Sequence, residues 1–300
     1  MSDLLIRAFH PVLRLRAVAA IATEVCQEAA RRHNATPAAA CALGRGLLGA
    51  YLLATLTQGG ERVTVQIQSS GPLRGLTVDA YDDGSIRGYP IEPAACADKP
   101  MNRRQRLADL LGRDGVLHVV RDVGLKERFQ GQVSLLVSEV DEDLEAYLRQ
   151  SEQIPSALGT ELIFDADGHI VQAGGVLLQT MPDSPKDVLA HLREAQHTLR
   201  SGELYDLLSK GPQTPLSLLQ LVFGKAADGL VVQDERPLFF RCRCDRGRVE
   251  TMLRGLSDQE LAEMILEGTA EVGCNFCATN YTFSCEELVA IQHSKQKVPN

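Results

Sequence analysis

Residues 241–250 read RCRCDRGRVE and residues 273–277 read GCNFC, which sets two cysteine pairs at one end of a 300-residue chain. Cys242 and Cys244 are one residue apart in a stretch that follows Phe239 and Phe240 and reads as extended. Side chains two positions apart on an extended chain point to the same side, so both sulfurs can reach one ion. Cys274 and Cys277 form a C-x-x-C knuckle preceded by a short predicted strand. Between the pairs, a helix is expected around 247–254, stopped by Gly255. A second opens on the capping box of Ser257 and Glu260 and stops at Gly268. Two helices bring the chain back to close the site. Four thiolates around one Zn²⁺ make a closed tetrahedral site with surplus negative charge, and Arg241, Arg243, Arg246 and Arg248 lie where they can offset it. The spacing predicts one zinc ion per chain, held by Cys242, Cys244, Cys274 and Cys277. Whether that ion only staples the module or its thiols also do chemistry stays open at this point.

The rest of the chain sets the frame for that module. With 44% hydrophobic residues the chain can bury a substantial core, and its length suggests about two domains. Eight cysteines in 300 residues are too few for a secreted disulfide scaffold, and the N-terminal MSDLLIRAFHPVLRLR carries charges where a signal peptide needs an unbroken apolar run. A reducing, cytoplasmic compartment is expected. The most membrane-like stretch is AAACALGRGLLGAYLLATL at 38–56, but Arg45 near its middle points to a buried core helix and no membrane partner. A formal net charge of −8 has the wrong sign for nucleic acid.

Along the chain, LLIRAFHPVLRLRAV reads as extended and two helices follow. The second is marked by Thr36 at its N-cap and Pro37 at its first position, with Gly59 and Gly60 closing it. From residue 62 the period becomes two, with Val63, Val65 and Ile67 on one face and Thr64, Gln66 and Gln68 on the other. LTVDAY and SIRGY flank Asp83-Gly84 as a hairpin. Further strands are expected at 116–120, 132–137, 161–171 with an Asp-Gly turn inside it, and 174–181, with a helix opened by Asp141, Glu142 and Asp143. From Pro182 to about Leu238 the pattern is helical and broken by Gly and Pro. Helices so short depend on docking an apolar face. The expected class is α+β: a mixed domain over 1–181, a helical linker over 182–238 and a zinc module over 239–300.

Other features have ordinary readings. Gly44 to Gly49 match G-x-G-x-x-G inside a helical run with no strand before it, so the glycines are expected to serve helix packing rather than a dinucleotide. Cys26, Cys41 and Cys96 stand singly and read as small hydrophobes. The histidines, His118 and His169 included, form no ligand motif in the sequence.

The segments QIQSSGPLRGLTVDAYDDGSIRGYP (66–90), DVGLKERFQGQVSL (122–135), QSEQIPSALG (150–159) and AGGVLLQTMP (173–182), together with the C-x-C and C-x-x-C pairs, resemble the 33 kDa heat-shock chaperone family of redox-regulated holdases. The resemblance covers most of the chain. It implies a non-enzyme: an ATP-independent chaperone, folded and inactive while reduced and zinc-loaded. Oxidants would switch it on, joining Cys242 to Cys244 and Cys274 to Cys277. Its partners would be unfolding client proteins and, when oxidised, a second copy of itself. Cys285 departs from the family pattern. It follows Ser284, which with Glu287 makes a capping box at the start of a last helix, and it reads best as an incidental, partly buried residue. The alternatives are a constitutive zinc adaptor for nucleic acid or protein, for which the arginines around Cys242 speak, and a thiol oxidoreductase using Cys274 and Cys277.

Overall fold

The computed structural model describes residues 2–55, 62–96, 107–122, 124 and 128–295. An antiparallel hairpin of β1 (Leu4–His10) and β2 (Leu15–Ile21) opens the chain, and helices α1 (Thr23–Arg32) and α2 (Pro37–Ala54) follow. Next come β3 (Arg62–Ser69), β4 (Gly75–Tyr81), β5 (Ser85–Pro90), the short helix α3 (Ala108–Leu111), β6 (Gly115–Asp122) and β7 (Phe129–Ser134). Helix α4 (Val140–Gln150) leads into a long hairpin of β8 (Ser156–Phe164) and β9 (Ile170–Thr180). Helices α5 (Val188–Ser201), α6 (Glu203–Leu208) and α7 (Pro215–Phe223), a 3₁₀ turn at Gly224–Gly229, and strands β10 (Val231–Pro237) and β11 (Phe239–Phe240) complete a first compact unit, Met1–Arg241. The second unit, Cys242–Asn300, holds α8 (Arg246–Arg254), α9 (Asp258–Glu267), β12 (Thr269–Gly273), β13 (Asn280–Ser284) and α10 (Cys285–Lys295). The class is α+β, as the sequence leads one to expect.

In the first unit a five-stranded sheet, β10-β1-β2-β9-β8, and a six-stranded sheet, β11-β5-β4-β3-β6-β7, share a core with α1, α2 and α4. Helix α2 is the centre of that core. Its N-terminus is capped by the Thr36 hydroxyl, which accepts from Ala39 N at 3.2 Å, with Pro37 in the first turn. It is long and apolar enough to cross a membrane by composition, and 89% of that span is buried inside the protein. Its glycines are contact points. A Cβ on Gly44 would stand 2.4 Å from a Leu162 methyl, on Gly46 2.9 Å from Leu76, and on Gly49 2.5 Å from Leu144. At that closeness an added carbon would force each of those leucine side chains to shift. Arg45, in the same helix, pairs with Glu161 at 2.8 Å, and Asp141 and Glu139 lie 3.7 and 3.9 Å away. The one charge that an apolar helix carries is thus met by carboxylates from α4 and β8.

The acidic start of α4 does more than complement the positive end of a helix. Asp141 accepts from the Thr160 backbone N–H at 2.7 Å, Glu145 from Leu158 N at 2.7 Å, and Asp143 from Leu136 N at 2.7 Å. The last bond explains a difference from expectation: the strand read over 132–137 ends at Ser134, because the Asp143 carboxylate turns the chain at Leu136 and Val137 into the helix. The Asp-Gly turn read inside 161–171 is present, while the strand read over 174–181 begins earlier than expected. Asp167-Gly168 lies in the turn between β8 and β9, with Gly168 at φ +84°, and β9 runs unbroken from Ile170 to Thr180. The closing role given to Gly59 and Gly60 falls outside the described residues.

The five-stranded sheet is covered on both faces. Its outer face carries a second core, in which Ala17, Ala19, Ile21, Val176 and Leu178 meet Leu192, Leu204, Leu208, Leu218 and Leu219 from α5, α6 and α7. Every residue of β2 except Arg16 is therefore buried, and its alternation is correspondingly weak. Helix α5 is held further by polar contacts. Gln196 donates to Ser156 O at 2.9 Å, and Arg200 pairs with the buried Glu145. The helices read over 182–238 are present to Phe223, but residues 231–237 add an edge strand, antiparallel to β1, which the broken helical pattern does not reveal.

Candidate metal centre

The second unit is built around α8, α9, α10 and the β12–β13 hairpin, whose buried core is Val249, Leu253, Leu261, Ala270, Phe283, Leu288 and Ile291. Its local signals are those in the sequence. Asp245 caps α8 by accepting from Arg248 N at 2.9 Å. Ser257 and Glu260 make a reciprocal capping box on α9, and Gly268 ends that helix at φ +86°. Ser257→Ala should remove that cap and lower the unfolding free energy of the module by about 1 kcal/mol, measurable by thermal denaturation.

The chain returns through β12 into the knuckle at Cys274. There the Cys274 carbonyl accepts from Ala278 N at 2.8 Å and from Cys277 N at 3.3 Å, while Cys274 N donates to Thr279 O at 2.9 Å. Ala278 takes φ +54° to close the turn. This tight loop points Cys274 and Cys277 at the first pair. Cys242 Sγ lies 3.7 Å from Cys274 Sγ, Cys244 Sγ lies 3.3 Å from Cys277 Sγ, and all four sulfurs lie within 4.8 Å of one another. A tetrahedron with Zn–S bonds of about 2.3 Å needs sulfurs about 3.8 Å apart. The four residues therefore fit an ion of that size and softness, and an all-thiolate donor set selects zinc or another soft metal over magnesium or calcium.

Hydroxyls complete the surroundings. Tyr281, on β13, donates from its phenol to Cys244 Sγ at 3.2 Å, and Thr279 Oγ1 lies 3.3 Å from Cys277 Sγ. Burial pushes the Cys244 thiol up to about 12 against the opposing donation from Tyr281. Burial also acts to raise Cys277, but the hydroxyl and backbone N–H of Thr279 and its neighbouring thiols outweigh it, leaving that thiol at about 7. Cys274 is raised, chiefly by burial. Neither hydroxyl stands out in the sequence; the only signal is a Thr and a Tyr within four residues of a C-x-x-C.

Two of the four arginines near the cysteines, Arg246 and Arg248, also make contacts within the module's frame. Arg246 stacks 4.2 Å above the Phe283 ring and donates to Thr282 O and Glu287, and Arg248 donates to Arg243 O and pairs with Asp245. These guanidinium groups brace the module's frame. Cys285 stands at the start of α10 under a capping box formed by Ser284 and Glu287, and its sulfur donates to Ile265 O at 3.7 Å, outside the four-sulfur group. Cys26 and Cys41 are buried in the first unit's core, and burial raises both thiols, Cys41 to about 11. Among the described residues one further group of potential ligands, Asp165, Asp167 and His169, is exposed in the β8–β9 turn. There Asp165 already accepts from the backbone N–H groups of Asp167 and His169.

The Hsp33 protein family model matches residues 3–284. The 33 kDa chaperonin of Geobacter sulfurreducens is 35% identical over 98% of this chain and 96% of its own. That of Bacillus subtilis is 33% identical over 97% of this chain and 98% of its own. The crystal structure of a 33 kDa chaperonin from Thermotoga maritima superposes with a TM-score of 0.86 at 30% identity, covering 99% of this chain and all of that one. A family match over nearly the whole length, relatives above 30% identity end to end, and a shared fold mean that the chain belongs to the Hsp33 family.

Proposed function

We propose that the protein is a redox-regulated, ATP-independent holdase of the cytoplasm, with no catalytic site, which zinc keeps inactive and oxidation switches on. The observation that carries this reading is the gathering of four sulfurs in a unit whose own apolar core is seven side chains. Zinc, when bound, holds the four sulfurs as thiolates and supplies the folding free energy that so small a core lacks. Cys242, Cys244, Cys274 and Cys277 are its ligands. On oxidation Cys242 joins Cys244 and Cys274 joins Cys277, since chain neighbours close the smallest loops once the module has opened. Cross-pairing has no advantage then, because the short sulfur separations belong to the folded state.

In this reading residues 1–181 are the client-binding domain, 182–238 the linker and 239–300 the switch module. The linker helices α5, α6 and α7 cover apolar strands of the five-stranded sheet, and their release would present that face to unfolding proteins. The active form is a homodimer, and neither nucleic acid nor membrane is a partner. The family membership and the names of the relatives support a chaperone.

The test is suppression of aggregation of a thermally unfolding client by reduced and by peroxide-treated protein, with zinc release followed in parallel. Activity should appear only after oxidation and track the loss of zinc. Equal activity in both forms would refute regulation by the cluster, and salt-sensitive binding of nucleic acid by reduced protein would favour an adaptor instead.

A further inference from the structure

Tyr281 lies on β13 opposite Val272 of β12, and its ring packs against the module's core. Its phenol donates at 3.2 Å to the sulfur of Cys244, a residue 37 positions earlier in the chain. A half-buried tyrosine needs a partner for its polar tip, and a backbone carbonyl would satisfy that need. Here the partner is one of the four sulfurs. We propose that Tyr281 is a positioning residue of the switch, whose hydrogen bond to Cys244 damps that thiolate's attack on peroxide and so sets how much oxidant the cluster withstands. This rests on the reading of the cluster as an oxidation switch.

The phenol's hydrogen bond stabilises negative charge on the sulfur that attacks peroxide. As the S–O bond forms and the O–O bond breaks, negative charge leaves sulfur for the departing hydroxide, so the hydrogen bond weakens on the way to the transition state. An interaction stronger in the ground state than in the transition state slows the step. The products are the Cys244 sulfenic acid and hydroxide. The Cys242 thiolate then attacks the Cys244 sulfur, forming the S–S bond and expelling a second hydroxide. Each hydroxide then takes one proton from the buffer. In sum two thiolates lose two electrons, and one peroxide becomes two waters. Thr279, next to Cys277, offers a local comparison on the other pair.

The test uses the full-length, reduced, zinc-loaded protein and Tyr281→Phe, which keeps the ring and deletes one oxygen. Zinc release by peroxide is timed with a metallochromic indicator. A brief iodoacetamide pulse with peptide mapping reads each cysteine separately, and chelator competition reads zinc retention. Release should quicken about three- to tenfold, the share of a charge-assisted hydrogen bond lost in the transition state. Labelling should rise by a similar factor at Cys244 and not at Cys274, with zinc retention unchanged. Thr279→Val should leave Cys244 labelling at the wild-type rate. Wild-type protein made with 3-fluorotyrosine, a more acidic donor, should release zinc more slowly, and Tyr281→Phe made the same way should not respond.

An unchanged release rate would overturn the proposal. So would equal acceleration at all four cysteines with weakened zinc retention, which is the signature of a merely structural tyrosine. Wild-type protein that holds no zinc, or keeps it under peroxide, would instead overturn the switch on which the proposal rests.

Discussion

Removing the metal, or one of the four sulfurs, should unfold residues 242–295 while the first unit stays folded. Helices α8, α9 and α10 are nine, ten and eleven residues long, short of the length at which an isolated helix holds in water. Among the described residues they enclose seven buried apolar positions, one of them an alanine. Units this small need a staple, and a structural zinc site supplies about 10–16 kcal/mol, more than the whole stability of most domains. Reduced wild-type protein should hold one zinc per chain. Hydrogen exchange on chelator-treated protein or on Cys274→Ser should show protection lost throughout α8, α9, α10 and the β12–β13 hairpin. Protection should persist in β2, β3, β6 and β9, which are packed into the two-sheet core. Full protection of the module after chelation, or undiminished zinc affinity in Cys274→Ser, would remove the ground for a metal-dependent fold.

What could be read from the sequence was local chemistry. Thr36 with Pro37, Ser257 with Glu260, and Ser284 with Glu287 announce helix starts, because a cap is a contact between residues three apart. Val63, Val65 and Ile67 announce a strand with one covered face, because there alternation survives intact. The cysteine spacing announces the cluster for the same reason: two short pairs need only one return of the chain. What escaped depends on distant partners. Strand β10 reads VVQDERP, mostly exposed and ending in proline, and is a strand because β1 offers it an edge. The acids of α4 look like a helix start, yet Asp141, Asp143 and Glu145 tie down backbone groups of β8 and the β7–α4 turn. Tyr281 reaches Cys244 only once the β12–β13 hairpin is folded.

Leu218→Asp should make the protein an active holdase without any oxidant. Helix α7 is nine residues long and held by the burial of Pro215, Leu218, Leu219 and Val222. Its hydrogen-bonded cap, Thr214 with Ser217, fixes where it starts and not where it docks. Leu218 is wholly buried, and its methyl lies 3.1 Å from where a Cβ on Gly174 of β9 would be. Shortening a buried leucine costs about 2–5 kcal/mol, and placing an unpaired carboxylate there costs more. At about 4 kcal/mol the docking equilibrium shifts roughly a thousandfold. An aspartate therefore leaves for water and takes the helix with it. The face then uncovered includes Ala17, Ala19, Ile21, Val176 and Leu178, on strands that stay anchored by the main core behind them. Reduced, zinc-loaded Leu218→Asp should bind a hydrophobic dye, exchange rapidly over 188–223 and suppress client aggregation. Leu216→Asp, at an exposed position of the same helix, should do none of these. If Leu218→Asp exposes the sheet and still fails to hold clients, the surface that binds them lies elsewhere; if it holds them with zinc in place, the cluster acts through the linker and not on clients directly.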